Sequence, residues 1–135
     1  MPDYAGMDAP STVVERVRAH QQFERSINEL CERLEKKMPV TASTLLAIAE
    51  PEKKAELVRK YVQLGKHIER NIKAFKTSQH KAMAILKELE SPKPNWPDIE
   101  RALDRALEIA ARIERDLKAH DLAIDQILAT CRGES

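Results

Sequence analysis

Apolar residues recur every three or four positions along most of this 135-residue chain. The most regular run lies in the last third, where the repeating positions are Ile99, Leu103, Ala106, Ala110, Ile113, Leu117, His120, Ile124, Ile127 and Cys131. This spacing gives a helix one continuous apolar face. Two earlier segments have the same pattern, so the sequence predicts three long helices over about 12–37, 51–90 and 97–131.

Capping and helix-breaking residues predict where these helices begin and end. Thr12 and Glu15 have the spacing of a capping box at the start of the first helix, and Pro39 is expected to end it. A short helix is expected near 42–49, before the second long helix. The turn-forming stretch SPKPNWP, residues 91–97, separates the second long helix from the third.

The expected fold is therefore all-α, an antiparallel bundle of three long helices plus the short one. A break near Thr77 and Ser78, which can cap a new helix, would give a four-helix up-down bundle instead. Residues 1–11 are expected to be a disordered lead-in, and residues 12–132 a single domain.

The composition agrees with this fold and restricts the setting. Charged residues make up 33% of the chain and aromatics 4%, with only three glycines, which is typical of helical bundles. No apolar stretch is long enough for a bilayer span, and the N-terminus has no signal-peptide pattern. Two cysteines are too few for a disulfide-stapled scaffold. We expect a cytoplasmic protein with no membrane partner.

Two residue types repeat at a spacing of one hundred. His20 and His120 both occupy the apolar series, and Cys31 and Cys131 lie on or beside it. In a three-helix bundle the first and third helices run parallel, so we expect each pair to share a layer of the bundle.

Apolar residues near the turn between the second and third helices predict an interaction surface. The first helix is expected to be about a dozen residues shorter than the second, about 18 Å at the helical rise. Apolar residues near the turn would then lack cover from a third helix, and these are Met83, Leu86, Leu89, Trp96, Ile99 and Leu103. An exposed apolar strip indicates a homodimer interface or a groove for a partner helix. This predicts a non-enzymatic protein–protein interaction module, such as an adaptor, a chaperone-like subunit or an inhibitor.

The second helix is strongly basic, with ten Lys or Arg against two acids between Lys53 and Lys87. Its outer face is expected to carry Arg59, Lys66, Arg70 and Lys81. The third helix has eight acids against five bases, so one interpretation is a solvated surface beside a complementary helix. The other is a basic stripe that attracts an acidic protein surface or a nucleic acid.

Two segments resemble the first and last helices of hemerythrins, HQQFERSINEL from His20 and HDLAID from His120. The resemblance implies that His20 and His120 are iron ligands and that Asp125 is a bridging carboxylate. Independently of the resemblance, the spacing places Glu24 one turn after His20, where it is a further candidate metal ligand. The central H-x-x-x-E and H-x-x-x-H pairs of that family are missing. The residues therefore favour hydrogen-bonded core histidines, and no cofactor is expected.

The segment RDLKAH resembles the R-x-x-x-x-H motif of HEPN ribonucleases, which are helical. The resemblance implies that Arg115 and His120 act together on an RNA phosphate. Because the motif lies within an unbroken apolar series, the non-enzymatic interpretation is preferred.

Overall fold

The computed structural model describes residues 9–133, which form three α-helices. These are α1, Ser11–Leu46, α2, Pro51–Glu88, and α3, Trp96–Cys131. The predictions of an all-helical chain and of three long helices are confirmed. Residues 1–8 of the expected disordered lead-in lie outside the described residues. Within the described part, α1 already begins at Ser11 with Pro10 as its N-cap, so the Thr12 capping box does not form.

The prediction that α1 ends before Pro39 is wrong, and so is the separate helix near 42–49. Helix α1 continues through Pro39 to Leu46. A proline inside a helix removes one backbone hydrogen bond, to the Glu35 carbonyl here, and costs about 3 kcal/mol. Glu35 and Pro39 are both exposed, so water can replace that bond. Beyond them, Thr41 and Leu45 are buried, and their packing holds the last turns in helical form.

Helix α2 is unbroken, and the alternative with a break near 77–78 is not observed. The Thr77 hydroxyl donates a hydrogen bond to the Lys73 carbonyl one turn earlier, as it does inside a continuous helix. At the start of α3, the Asn95 side chain accepts a hydrogen bond from the Asp98 backbone N–H at 3.2 Å. This cap satisfies one of the free N–H groups at the helix start.

Ion pairs define the register between α1 and α3. Arg16 near the start of α1 contacts Asp104 near the start of α3, and Arg33 and Lys37 contact Asp121 further along both helices. The two helices therefore run parallel, with partners 84 or 88 residues apart in sequence.

Helix α2 runs opposite to both neighbours. The Tyr61 hydroxyl donates to the Met38 carbonyl of α1 at 3.0 Å, and the Gln79 amide donates to Glu24 nearer the start of α1. Helix α3 packs against both other helices, whereas direct contact between α1 and α2 is sparse. The side of the bundle between α1 and α2 is therefore the least covered.

The core is divided into two clusters. The larger one occupies most of the bundle and includes Ile27, Ile113, Leu117 and Ile124, which are almost fully buried. A smaller cluster lies beside the turn between α2 and α3, and its buried members are Val13, Val17, Leu89, Ile99 and Leu103. We call this second group the tip cluster.

Candidate functional site

The tip cluster corrects the expected open groove beside the α2–α3 turn. Leu89, Ile99 and Leu103 are at most 4% exposed because Val13 and Val17 of α1 cover them. The three helices have nearly equal lengths, 36, 38 and 36 residues, so α1 reaches the end of the bundle and supplies the third side. Trp96 is half-buried against the same cluster.

A smaller apolar groove remains beside this cluster, between α1 and α2. Its volume is about 320 Å³. The groove is lined by Met83, which is 59% exposed, and by half-buried Leu86. Its deeper lining includes Val17, Ala82 and Leu103. Three of the six residues expected to bind a partner, Met83, Leu86 and Leu103, therefore belong to this α1/α2 groove.

A histidine–carboxylate pair borders the α1/α2 groove. His20 is 5% exposed, and its Nδ1 lies 2.9 Å from Oε1 of Glu24. The other oxygen of Glu24 accepts a hydrogen bond from the Gln79 amide. The carboxylate can only accept, so Nδ1 carries the proton. The buried Nε2 of His20 has no hydrogen-bond partner among the described residues.

His120 lies in a different place, at the edge between α2 and α3. The Asn71 amide donates to Nε2 of His120 at 3.1 Å and also donates to the His67 carbonyl. Because that carbonyl can only accept, the Asn71 NH₂ faces both groups, and Nε2 of His120 is unprotonated. The exposed ring of His67 stacks on His120 with centroids 6.0 Å apart.

His120 is thus half-buried rather than part of the inner face of α3. The buried position is taken by the next residue, Asp121, at 6% exposure. Partial burial lowers the pKa of His120 below its ordinary value of 6.5, and the neighbouring His67 lowers it further. Asp116 acts in the opposite direction but does not outweigh these two effects.

The residues of the hemerythrin resemblance are not brought together. His20 and Glu24 border the α1/α2 groove, whereas His120 contacts Asn71 and His67, and Asp125 forms an ion pair with Lys37. Within residues 9–133, no group of three or more His, Cys, Asp or Glu side chains is arranged to hold a metal ion.

The two residues of the ribonuclease resemblance face different directions. Helix α3 is continuous through Arg115 and His120, and five residues correspond to about 140° of rotation around the helix axis. Arg115 is exposed, and His120 faces α2. The geometry does not present them as a pair.

The expected layers of His20 with His120 and of Cys31 with Cys131 are wrong. The register of α1 against α3 is 84 or 88 residues rather than 100, so each pair is offset by about 12 to 16 residues, or about 18–24 Å along the axis. Both cysteines are free. Burial raises the pKa of the Cys31 thiol, which makes it a weak nucleophile.

Charge is distributed unevenly around the bundle. The acids of α3 that face α1, including Glu100 and Asp104, are paired with α1 bases such as Arg16. The acids of α3 are expected from the sequence to complement the bases of α2, but in the structure the ones that face α1 pair with its bases. The four expected members of the basic α2 face are all exposed, and none forms an ion pair within the described residues: Arg59, Lys66, Arg70 and Lys81.

Comparison with protein-family models, curated proteins and solved structures finds no match to this chain. None of the helices in residues 9–133 combines the length and apolar composition that crossing a membrane requires. Two features of the described residues bear on function, the α1/α2 groove and the exposed basic surface of α2.

Proposed function

We infer that the protein is a non-enzymatic helical interaction module that binds a second copy of itself through the α1/α2 groove. One observation carries this proposal: a 59% exposed Met83 stands at the edge of an apolar groove where α1 and α2 leave a gap. A flexible thioether is well suited to pack into an irregular apolar surface.

The charges around the groove favour a second copy as the occupant. Its lining includes both a base, Lys87, and acids, Glu24 and Glu90. A two-fold interface brings the same patch together from both partners, so a patch with both signs is able to complement itself. The net charge of the chain is only +1, so two copies do not repel each other strongly.

The energetics require more than the groove alone. Burial of Met83 and Leu86 would contribute about 1.5–3 kcal/mol each at most. A stable interface covers about 800 Å² on each partner. The outer surfaces of α1 and α2 beside the groove would therefore be part of the interface, with the groove at its centre.

An adaptor, a chaperone-like subunit or an inhibitor would use such a dimer in a cytoplasmic setting. The exposed bases of α2, Arg59, Lys66, Arg70 and Lys81, would attract an acidic protein partner before docking. The α2 surface has no series of exposed aromatic residues for base stacking, so an acidic protein is a better fit than a single-stranded nucleic acid.

The test compares two charged substitutions of exposed apolar residues. Met83→Asp and Leu122→Asp change side chains that are 59% and 63% exposed, but Leu122 lies on α3 away from the groove. We expect the wild type and Leu122→Asp to sediment at twice the 15.4 kDa chain mass, and Met83→Asp to sediment as a monomer with unchanged helicity.

A second variant, Leu86→Asp, provides an independent check on the same groove. If the wild type remains a monomer at all concentrations, self-association through this groove is excluded. If it dimerises and both groove variants also dimerise, the interface lies elsewhere on the molecule.

A further inference from the structure

A second groove follows the other flank of α2, where it packs against α3. Its volume is about 600 Å³, within the range of about 300–1,000 Å³ that is usual for ligand sites. Apolar side chains form its walls, among them Ile85, Ala102, Ala106 and Ile109. None of its lining residues is shared with the α1/α2 groove.

Three cations surround this α2/α3 groove, and no acid lines it. Lys81 comes from α2, and Arg101 and Arg105 come from α3. Arg101 is paired with Asp98. Lys81 and Arg105 form no ion pair within the described residues, although Glu108 lies one turn beyond Arg105. Like charges that converge on one groove repel each other, and an anion bound between them would remove that repulsion.

A serine side chain in this groove has a hydroxyl that the protein itself does not use. Ser78 is 5% exposed and lines the groove. Thr41, Thr44, Thr77 and Thr130 each donate to a backbone carbonyl one turn earlier. The side chain of Ser78 makes no hydrogen bond to any other residue within residues 9–133. Its hydroxyl is therefore available as a donor to a ligand.

We propose that the α2/α3 groove binds a single-chain amphiphile with an anionic head, such as a fatty-acid carboxylate. The carboxylate would lie between Lys81 and Arg105 and accept a hydrogen bond from the Ser78 hydroxyl. The hydrocarbon chain would extend from there toward the α2–α3 turn and cover the apolar wall formed by Ile85 and Ala102. This site is independent of the α1/α2 groove, so it can exist whether or not the protein dimerises.

The experiment uses dodecanoate, below the concentration at which it forms micelles, as the probe for the full chain. Amide shifts in two-dimensional NMR should change around Ser78, Ile85 and Arg105 and saturate with one bound molecule. Dodecyltrimethylammonium has the same chain with a cationic head, and we expect it to bind at least tenfold more weakly. Dodecanol isolates the contribution of the chain alone.

Charge reversal supplies the matched controls. The double variant Lys81→Glu/Arg105→Glu should bind dodecanoate at least tenfold more weakly than the wild type. Arg112 is exposed and lies outside the groove, so Arg112→Glu should leave dodecanoate binding unchanged. Ser78→Ala should weaken it by a smaller factor. Equal binding of both head groups, shifts confined to the α1/α2 groove, or binding only to vesicles of anionic phospholipid would each overturn the proposal.

Discussion

Nζ of Lys37 on α1 lies 2.8 Å from Oδ1 of Asp121 on α3, which is the most deeply buried acid in the described part of the chain. Arg33 contacts the other carboxylate oxygen at 3.4 Å. Lys37 also contacts Asp125 at 2.9 Å. This network matches the register in which the apolar faces of α1 and α3 pack, and it explains how a carboxylate can occupy the buried position next to His120.

Removal of Lys37 should destabilise the fold more than a change at Asp121. Lys37→Met leaves a buried carboxylate with only the longer contact to Arg33, and we expect a loss of about 1–3 kcal/mol in the free energy of unfolding. Asp121→Asn still accepts hydrogen bonds from Lys37, which also keeps its contact to Asp125. We expect it to cost less than about 1 kcal/mol.

Urea unfolding measures both changes, with Lys36→Met as the control. Lys36 is exposed and has no ion pair within the described residues, so its substitution should be nearly neutral. Equal losses for Lys37→Met and Lys36→Met would show that the network does not hold α1 against α3.

The ring stack between His67 and His120 should be visible in the pKa of His120. His67 lowers the pKa of His120, so His67→Gln should raise it towards 6.5. NMR titration of the His120 ring protons measures this shift. His80→Gln, an exposed change more than three turns along α2, should leave the titration of His120 unchanged. A lack of response to His67→Gln would contradict the observed stack.

The same lowered pKa predicts a pH dependence of stability. The unfolded chain binds a proton at His120 near pH 6.5, whereas the folded chain binds it only at a lower pH. The contribution of His120 is therefore fully present above pH 6.5 and is lost as the pH falls from 6.5 through the folded pKa. The His120→Gln side chain can still accept a hydrogen bond from Asn71 but does not titrate. This variant should therefore lose less stability than the wild type as the pH falls below 6.5.

Gly65→Ala should stabilise the fold. Gly65 lies inside α2, and a Cβ added there would meet only the Met38 methyl at 3.5 Å, an ordinary van der Waals contact. The gain in helix propensity is about 0.5–1 kcal/mol in the free energy of unfolding. A decrease in the urea midpoint would show that α1 and α2 approach more closely than the structure indicates.

Much of the fold follows from the sequence because local periodicity reports which side of a helix is buried. Eight of the ten positions in the apolar series of α3 are buried, and the exceptions are His120 and Cys131. Helix α3 packs against two helices, so its buried face is wide. An apolar spacing of three and four residues therefore cannot tell whether His120 or the adjacent Asp121 is the buried residue. Asp121 is buried because distant bases on α1 neutralise it, and no local pattern records that pairing.

The errors of the site prediction also come from long-range packing. Pro39 predicts the end of α1, but burial of Thr41 and Leu45 beyond it keeps the helix intact. That shortened helix suggested an open strip beside the α2–α3 turn, which Val13 and Val17 in fact cover. The equal spacing of the two histidines and two cysteines suggested shared layers, but the register between helices depends on ion pairs and side-chain packing instead.

The α1/α2 groove as a self-association surface is tested most directly by intermolecular paramagnetic broadening. A nitroxide at Gln22→Cys, with Cys31 and Cys131 replaced by alanine, is mixed with ¹⁵N-labelled chain that carries no label. We predict broadening of the labelled chain at the amides of Met83, Leu86 and their neighbours on α2. Broadening confined to another surface, or none at concentrations where the protein is dimeric, would contradict the account.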